Sequence, residues 1–188
     1  SPFEVARLYQ PLASTGQSAE LGVVLSVMDQ SGKVLKRFDQ SSSVPFTKEA
    51  LAVTLAGMTK SPEIGTARAA QAQLPGLRFA AKTGTTNDQR DSWFVAITGD
   101  YLSTVWLGQD DNAPMNITGS SGAQWVWIDF AKALPQQSLP KALPSGAAYY
   151  QVTKDEFEIA ADRCDEKVEL AFIEGTQPRL STSCIWPF

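Results

Sequence analysis

Two runs rich in β-branched and aromatic residues, Ser92-Trp93-Phe94-Val95-Ala96-Ile97 and Ser103-Thr104-Val105-Trp106-Leu107, flank the turn signal Thr98-Gly99-Asp100. A connection this short closes an antiparallel hairpin. A third run, Leu77-Arg78-Phe79-Ala80-Ala81, comes just before and closes on Lys82-Thr83-Gly84-Thr85-Thr86. The strands around Lys82, Trp93 and Trp106 are therefore predicted to lie side by side in one sheet. Upstream, residues 23–27 and 34–38 flank Asp29-Gln30-Ser31-Gly32, a second hairpin signal, and 41–45 reads as a loop.

Helix signals surround these strands. Ser1-Pro2-Phe3-Glu4 reads as an N-cap, a proline at the first helical position and a capping-box glutamate. Phe3, Ala6, Leu8 and Tyr9 follow with helical spacing, and Ser14-Thr15-Gly16 is the stop. Thr47-Lys48-Glu49-Ala50 opens a second helix carrying Leu51, Val53, Leu55, Ala56 and Met58, which Ser61-Pro62-Glu63-Ile64-Gly65-Thr66 breaks. A short helix over 66–72 and a last one over 120–133 complete the set. Antiparallel pairs outnumber parallel crossovers in this order, which predicts an α+β fold: an antiparallel sheet flanked by helices. Pro135, Pro140 and Pro144 punctuate a linker, so the chain divides into 1–134, a linker over 135–146 and a small C-terminal extension over 147–188.

Composition narrows the function. With 188 residues, 43% of them hydrophobic, the chain can bury one core of useful size. A net charge of −4 argues against a nucleic-acid partner. No apolar run reaches the length of a membrane span, and no signal peptide is recognisable. Histidine is absent, which removes Ser/His/Asp and Cys/His catalysis; with only two cysteines, a zinc site and any other metal or cofactor are not expected. Those two, Cys164 and Cys184, read as a structural disulfide of the extension and imply an oxidising, extracytoplasmic compartment. Closing that loop would contribute about 3 kcal/mol. Asp88, Asp91, Asp110 and Asp111 lack the spacing of a calcium loop and read as a solvated face. Asn116-Ile117-Thr118 is a weak match to a glycosylation acceptor.

Chemistry concentrates at Lys82-Thr83-Gly84-Thr85-Thr86. An ammonium, hydroxyls and a glycine at the end of a strand can dock a carboxylate against backbone. Alternation places residues 83 and 85 on one face and 82 and 84 on the other. An extended peptide could add antiparallel to this strand, its terminal carboxylate meeting Thr83, Thr85 and the Lys82 charge. The Thr85 N–H could then donate to a developing oxyanion.

With Asn87 and with Asp91-Ser92-Trp93-Phe94 just after, this segment resembles the transpeptidase domain of class A penicillin-binding proteins, whose signatures include K-T-G. Ser1-Pro2-Phe3-Glu4-Val5-Ala6 is similar to the family's helix after its second motif, and Gly65-Thr66-Ala67 to the turn before the third. Trp106-Leu107-Gly108-Gln109-Asp110 and Gly119-Ser120-Ser121-Gly122-Ala123 resemble its later strand and the start of its final helix. The cysteine pair in a C-terminal extension resembles the bifunctional 1b type.

The resemblance implies the C-terminal portion of a penicillin-binding and serine β-lactamase-like fold. It also implies a D,D-transpeptidase that cross-links peptidoglycan stem peptides through a serine acyl-enzyme, which β-lactams trap. Carried over by position, Lys82 supplies positive potential, Thr83 and Thr85 bind the carboxylate beside Gly84 and Thr86, and the Thr85 N–H forms half of the oxyanion hole. The complete protein would carry a glycosyltransferase domain and an inner-membrane anchor upstream and would work in the periplasm.

The family's nucleophile sits in S-x-x-K and its proton relay in S-x-N, both ahead of the K-T-G strand. No S-x-N occurs here, and the one S-x-x-K, Ser138-Leu139-Pro140-Lys141, falls in the linker, where Pro140 opposes a helix. It reads as a decoy, and the nucleophile is expected upstream of Ser1, leaving this chain inactive alone. The competing reading is a non-catalytic module that docks a partner or another domain through its sheet edge or extension. Helix and strand faces that normally meet missing elements would be exposed, so self-association is expected without them.

Overall fold

The computed structural model describes residues 1–14, 16–18, 24–38, 42–43, 46–162 and 164–180. Helix α1 spans Pro2–Ala13 and begins as its sequence demands. The Ser1 Oγ accepts from the Glu4 N–H at 3.4 Å and the Glu4 carboxylate takes the Ser1 ammonium at 2.7 Å, completing the capping box. The following excursion is pinched at its base, where β1 (Gln17–Ser18) pairs antiparallel with β4 (Ser42–Ser43). Strand β4 falls in the stretch 41–45 read as a loop. Between them β2 (Ser26–Met28) and β3 (Val34–Arg37) form the expected hairpin. Its turn is tied by Asp29, whose Oδ1 accepts from Ser31 N–H at 2.9 Å and Lys33 N–H at 3.0 Å, and Gly32 takes the positive φ of +84° that the turn requires.

Helix α2 (Lys48–Met58) is capped by the Thr47 hydroxyl, which accepts from Ala50 N–H at 3.2 Å. The break expected over 61–66 comes only at Gly65: Lys60–Ile64 first form one more helical turn, α3, because Pro62 falls in its first turn, where a proline forfeits no intrahelical bond. Helix α4 (Arg68–Gln73) follows. Then comes the central sheet, β5 (Ala80–Thr85), β6 (Asp91–Ile97) and β7 (Leu102–Gly108), antiparallel in that order with β5 at one edge. Register pairs Thr83 with Phe94 and Phe94 with Val105, so one face carries Ala81, Phe94, Ala96 and Val105.

Helix α5 (Ala123–Ala133) covers that face. Trp127 is buried there against Phe79 and Phe94, ring centroids 4.9 and 5.3 Å away, and Ala67, Ala70 and Ile128 close the cluster. The opposite face buries Ala80 and Ile97 under Leu12 of α1 and Leu55 and Met58 of α2. Helices on both faces of an antiparallel sheet make the fold α+β. Helix α5 starts three residues later than predicted, because 119–122 are spent in a turn. Its first free N–H, that of Ala123, is taken by the Ser92 hydroxyl of β6 at 2.9 Å, and the same hydroxyl donates to Thr118 O at 2.7 Å.

Beyond α5 the segment 134–146 has no helix or strand, and the extension forms a hairpin of β8 (Ala147–Thr153) and β9 (Lys167–Ile173). It packs back on α2. Arg78 fastens the connection: its guanidinium donates to Pro140 O at 2.7 Å and Leu139 O at 3.3 Å, and its carbonyl accepts from Leu139 N–H at 2.8 Å. Cys164 is buried; its expected partner Cys184 lies outside the described residues. No helix among the described residues is long and apolar enough to cross a membrane.

Candidate active site at the Lys82 strand

As expected, the strand ends in the motif: Lys82 to Thr85 are the last four residues of β5, and Thr86 follows it. Residues 82 and 84 lie on the α1/α2 face, and residues 83 and 85 on the α5 face. The two hydroxyls therefore start from the side opposite the ammonium, as alternation predicted. Both find partners at once. Thr83 Oγ1 lies 2.8 Å from Thr66 Oγ1, and Thr85 Oγ1 accepts from Gly119 N–H at 3.0 Å.

Backbone directions bring the groups to one edge. The Thr86 N–H donates to Asp91 O at 3.3 Å, toward β6. Peptide directions alternate along a strand, so the Thr85 N–H faces the other way, toward an edge with no neighbouring strand among the described residues. The Thr83 carbonyl points to that same edge, and the Lys82 ammonium curls round to donate to it. Lys82 is exposed, and no carboxylate among the described residues pairs with it. Among the described residues, a cation with no carboxylate partner and an outward-facing backbone donor thus share one strand edge, with two fixed hydroxyls on the adjoining α5 face.

Two glycines make this spacing possible. A Cβ on Gly84 would come within 3.1 Å of Trp93 Cβ. A Cβ on Gly119 would fall 2.4 Å from Trp93 O and 2.8 Å from Gly84 O. The rim beyond Thr86 is tied by Asp91, which accepts from Trp106 Nε1 and from the Thr86 hydroxyl, each at 2.8 Å. The bond from Trp106, then that from Thr86, hold its carboxyl below the usual carboxylate range. A carboxyl depressed in the folded state stabilises it fully above the unfolded pKa, and that contribution fades as pH falls through the folded value. The melting midpoint of the native protein should therefore drop more steeply on acidification below about pH 4 than that of Asp91→Asn. Parallel profiles in differential scanning calorimetry would refute this.

The other candidates separate. Ser138 Oγ accepts from Arg78 N–H at 3.0 Å, while Lys141 pairs with Glu169 at 2.6 Å, so the S-x-x-K residues engage other partners and not each other. Asp88, Asp91, Asp110 and Asp111 do not gather into a metal-binding group among the described residues. An apolar hollow of about 430 Å³ lies between α2 and residues 140–144, lined by Leu12, Leu51, Leu55, Leu143 and Tyr149, and includes none of residues 82–86. Sequence reasoning missed the hydrogen-bond partners Thr66 and Gly119 and the staple Ser92. The motif matches at Gly65-Thr66-Ala67 and Gly119-Ser120-Ser121-Gly122-Ala123 had marked their neighbourhoods without a role.

Residues 1–110 match the family described as penicillin binding protein transpeptidase domain. The chain belongs to that family. Among curated relatives, penicillin-binding protein 1B of Haemophilus influenzae is 44% identical over 130 residues, 69% of this chain and 17% of the relative. Penicillin-binding protein 1B of Vibrio cholerae is 35% identical over 98% of this chain and 24% of its own length. The chain thus spans about a fifth of the length of these relatives. In solved structures, penicillin-binding protein 1A from Haemophilus influenzae superposes with a TM-score of 0.79 at 16% identity, over 96% of this chain and 33% of that one. PonA1 from Mycobacterium tuberculosis gives 0.60 at 23% identity, over 74% of this chain and 39% of the other. At these identities the likeness speaks for the fold of the transpeptidase domain.

Proposed function

We propose that this chain supplies one wall of the active site of a peptidoglycan D,D-transpeptidase, whose nucleophilic serine and its lysine belong to another part of a longer protein. The observation that carries this reading is the exposed Lys82 cation, with no carboxylate partner among the described residues, on the same strand edge as the Thr85 N–H. A stem peptide ending in a carboxylate adds to that edge as a further antiparallel strand. The Lys82 charge draws in its terminal carboxylate, and the hydroxyls of Thr83 and Thr85 orient it, beside Gly84 and Thr86. The scissile carbonyl then lies against the Thr85 N–H.

When the serine attacks, the carbonyl oxygen gains charge. A backbone donor already aimed at it contributes about 3 kcal/mol of transition-state stabilisation without reorganising. The peptide's last residue departs as an amine, leaving the acyl group esterified to the serine; an amine of a neighbouring stem then attacks that ester, forming the cross-link amide and releasing the serine hydroxyl. A β-lactam carries its carboxylate and strained amide in the same relation and acylates the same serine. Gly84 keeps the strand close to Trp93 and leaves its outer side clear for the ligand. The complete protein would add an upstream glycosyltransferase domain and a membrane anchor and act in the periplasm. Residues 135–146 would be its linker, and 147–188 an extension closed by a Cys164–Cys184 disulfide.

The test is covalent labelling with a fluorescent penicillin. The full-length protein should be labelled, and the 188-residue chain should not. Labelling of the isolated chain, at Ser138 or anywhere else, would overturn the division of the site between two parts.

A further inference from the structure

We propose that Thr66 is a positioning residue of the carboxylate site: its hydroxyl donates to Thr83 Oγ1 and so directs the Thr83 proton at the anionic ligand. The inference rests on the reading of Thr83 as a carboxylate-binding residue. The two oxygens are 2.8 Å apart, the ordinary length of a hydroxyl–hydroxyl bond. A hydroxyl has one proton and two lone pairs, so within the pair only one partner donates to the other. A carboxylate has nothing to give and takes the proton of the hydroxyl it meets. With Thr83 donating outward, Thr66 donates to Thr83, and the chain of hydrogen bonds runs one way.

The placement of Thr66 is set by the interior. Its carbonyl is held by the amide of Gln124, which with nitrogen toward Thr66 O and oxygen toward Ala70 N–H makes both contacts at 3.0 Å. Gln124 is fully buried on α5, an uncommon location for a carboxamide unless both ends are engaged. On either side, the Gly65 N–H donates to Ser61 O at 3.0 Å and the Ala67 N–H to the same oxygen at 3.1 Å. A Cβ on Gly65 would sit 3.0 Å from Ser61 Cα, so the turn is packed tightly behind the hydroxyl. Thr66 itself remains exposed, on the surface from which a ligand would approach Thr83.

The experiment uses the full-length protein with Thr66→Val, Thr66→Ala, Thr66→Ser, Thr83→Val and the double Thr66→Val/Thr83→Val. It measures second-order acylation by benzylpenicillin and by its methyl ester, which lacks the carboxylate charge. Thr66→Val and Thr66→Ala should each slow benzylpenicillin about fivefold, the size of one neutral hydrogen bond. Acylation by the ester should not change, Thr66→Ser should restore the native rate, and the double variant should be no slower than Thr83→Val alone. Native rates in both Thr66 variants beside an impaired Thr83→Val would overturn the inference and leave the carboxylate reading standing. Equal losses on acid and ester would make Thr66 merely structural and also overturn it. A Thr83→Val protein with native rates would overturn the carboxylate reading and the role of Thr66 together.

Discussion

Gly119→Ala is expected to lower the stability of the full-length protein by about 3 kcal/mol, the upper part of the range for forcing an extra group into a packed site. The added methyl would lie 2.4 Å from Trp93 O, 2.8 Å from Gly84 O and 2.9 Å from Gly84 N. All three are backbone atoms of paired strands, so no side chain can swing aside. Either the turn at 119–122 lifts off the sheet or β5 and β6 part. Lifting the turn removes the Gly119 N–H from Thr85 Oγ1 and draws Thr118 away from Ser92. Acylation by penicillin should therefore fall along with the melting midpoint. Gly76→Ala, with open space around its Cβ but a φ of +83°, provides a control that strains the backbone without touching the site. An unshifted midpoint in Gly119→Ala would show that the turn accommodates a methyl and does not hold the strand.

The second large effect is expected from Lys82→Met, which keeps the length of the side chain and removes its charge. Charge-assisted contacts to an anion contribute about 1.5–3 kcal/mol, so acylation of the full-length protein by benzylpenicillin should slow about 100-fold. Because Lys82 is exposed and pairs with no described carboxylate, its melting midpoint should stay within about 1 °C of native. Lys82→Arg should recover part of the rate, since the charge returns on a planar head of different geometry. Stopped-flow acylation measures all three. A Lys82→Met protein acylated at the native rate would remove the observation on which the proposed function rests.

Much of the wall was legible because its signals are local. The short Thr98-Gly99-Asp100 turn fixed the β6–β7 pairing, and simple alternation separated Lys82 and Gly84 from Thr83 and Thr85. The hydroxyl partners were not legible, since Thr66 and Gly119 lie 17 and 34 residues from the threonines they meet, a separation that no period or turn signal spans. The same reason hid the β8–β9 hairpin, whose strands are parted by residues 154–166 without a tight turn, and the β1–β4 stem, closed only by the excursion between them. Pro62 misled for a different cause. Proline ends a helix when it falls in its interior, and here it falls in a first turn.

The borrowed cap of α5 has a consequence for how this half of the domain comes together. Gly122 offers no side chain to the first turn of the helix, and the acceptor that replaces it, Ser92, comes from 31 residues earlier. A helix of 11 residues is marginal in isolation, so α5 has little standing population until β6 presents that oxygen and the Phe94 ring beneath Trp127. Both partners of α5, the Ser92 hydroxyl and the Phe94 ring, come from β6, so the last helix of the wall becomes stable only on a surface that an earlier strand has already made.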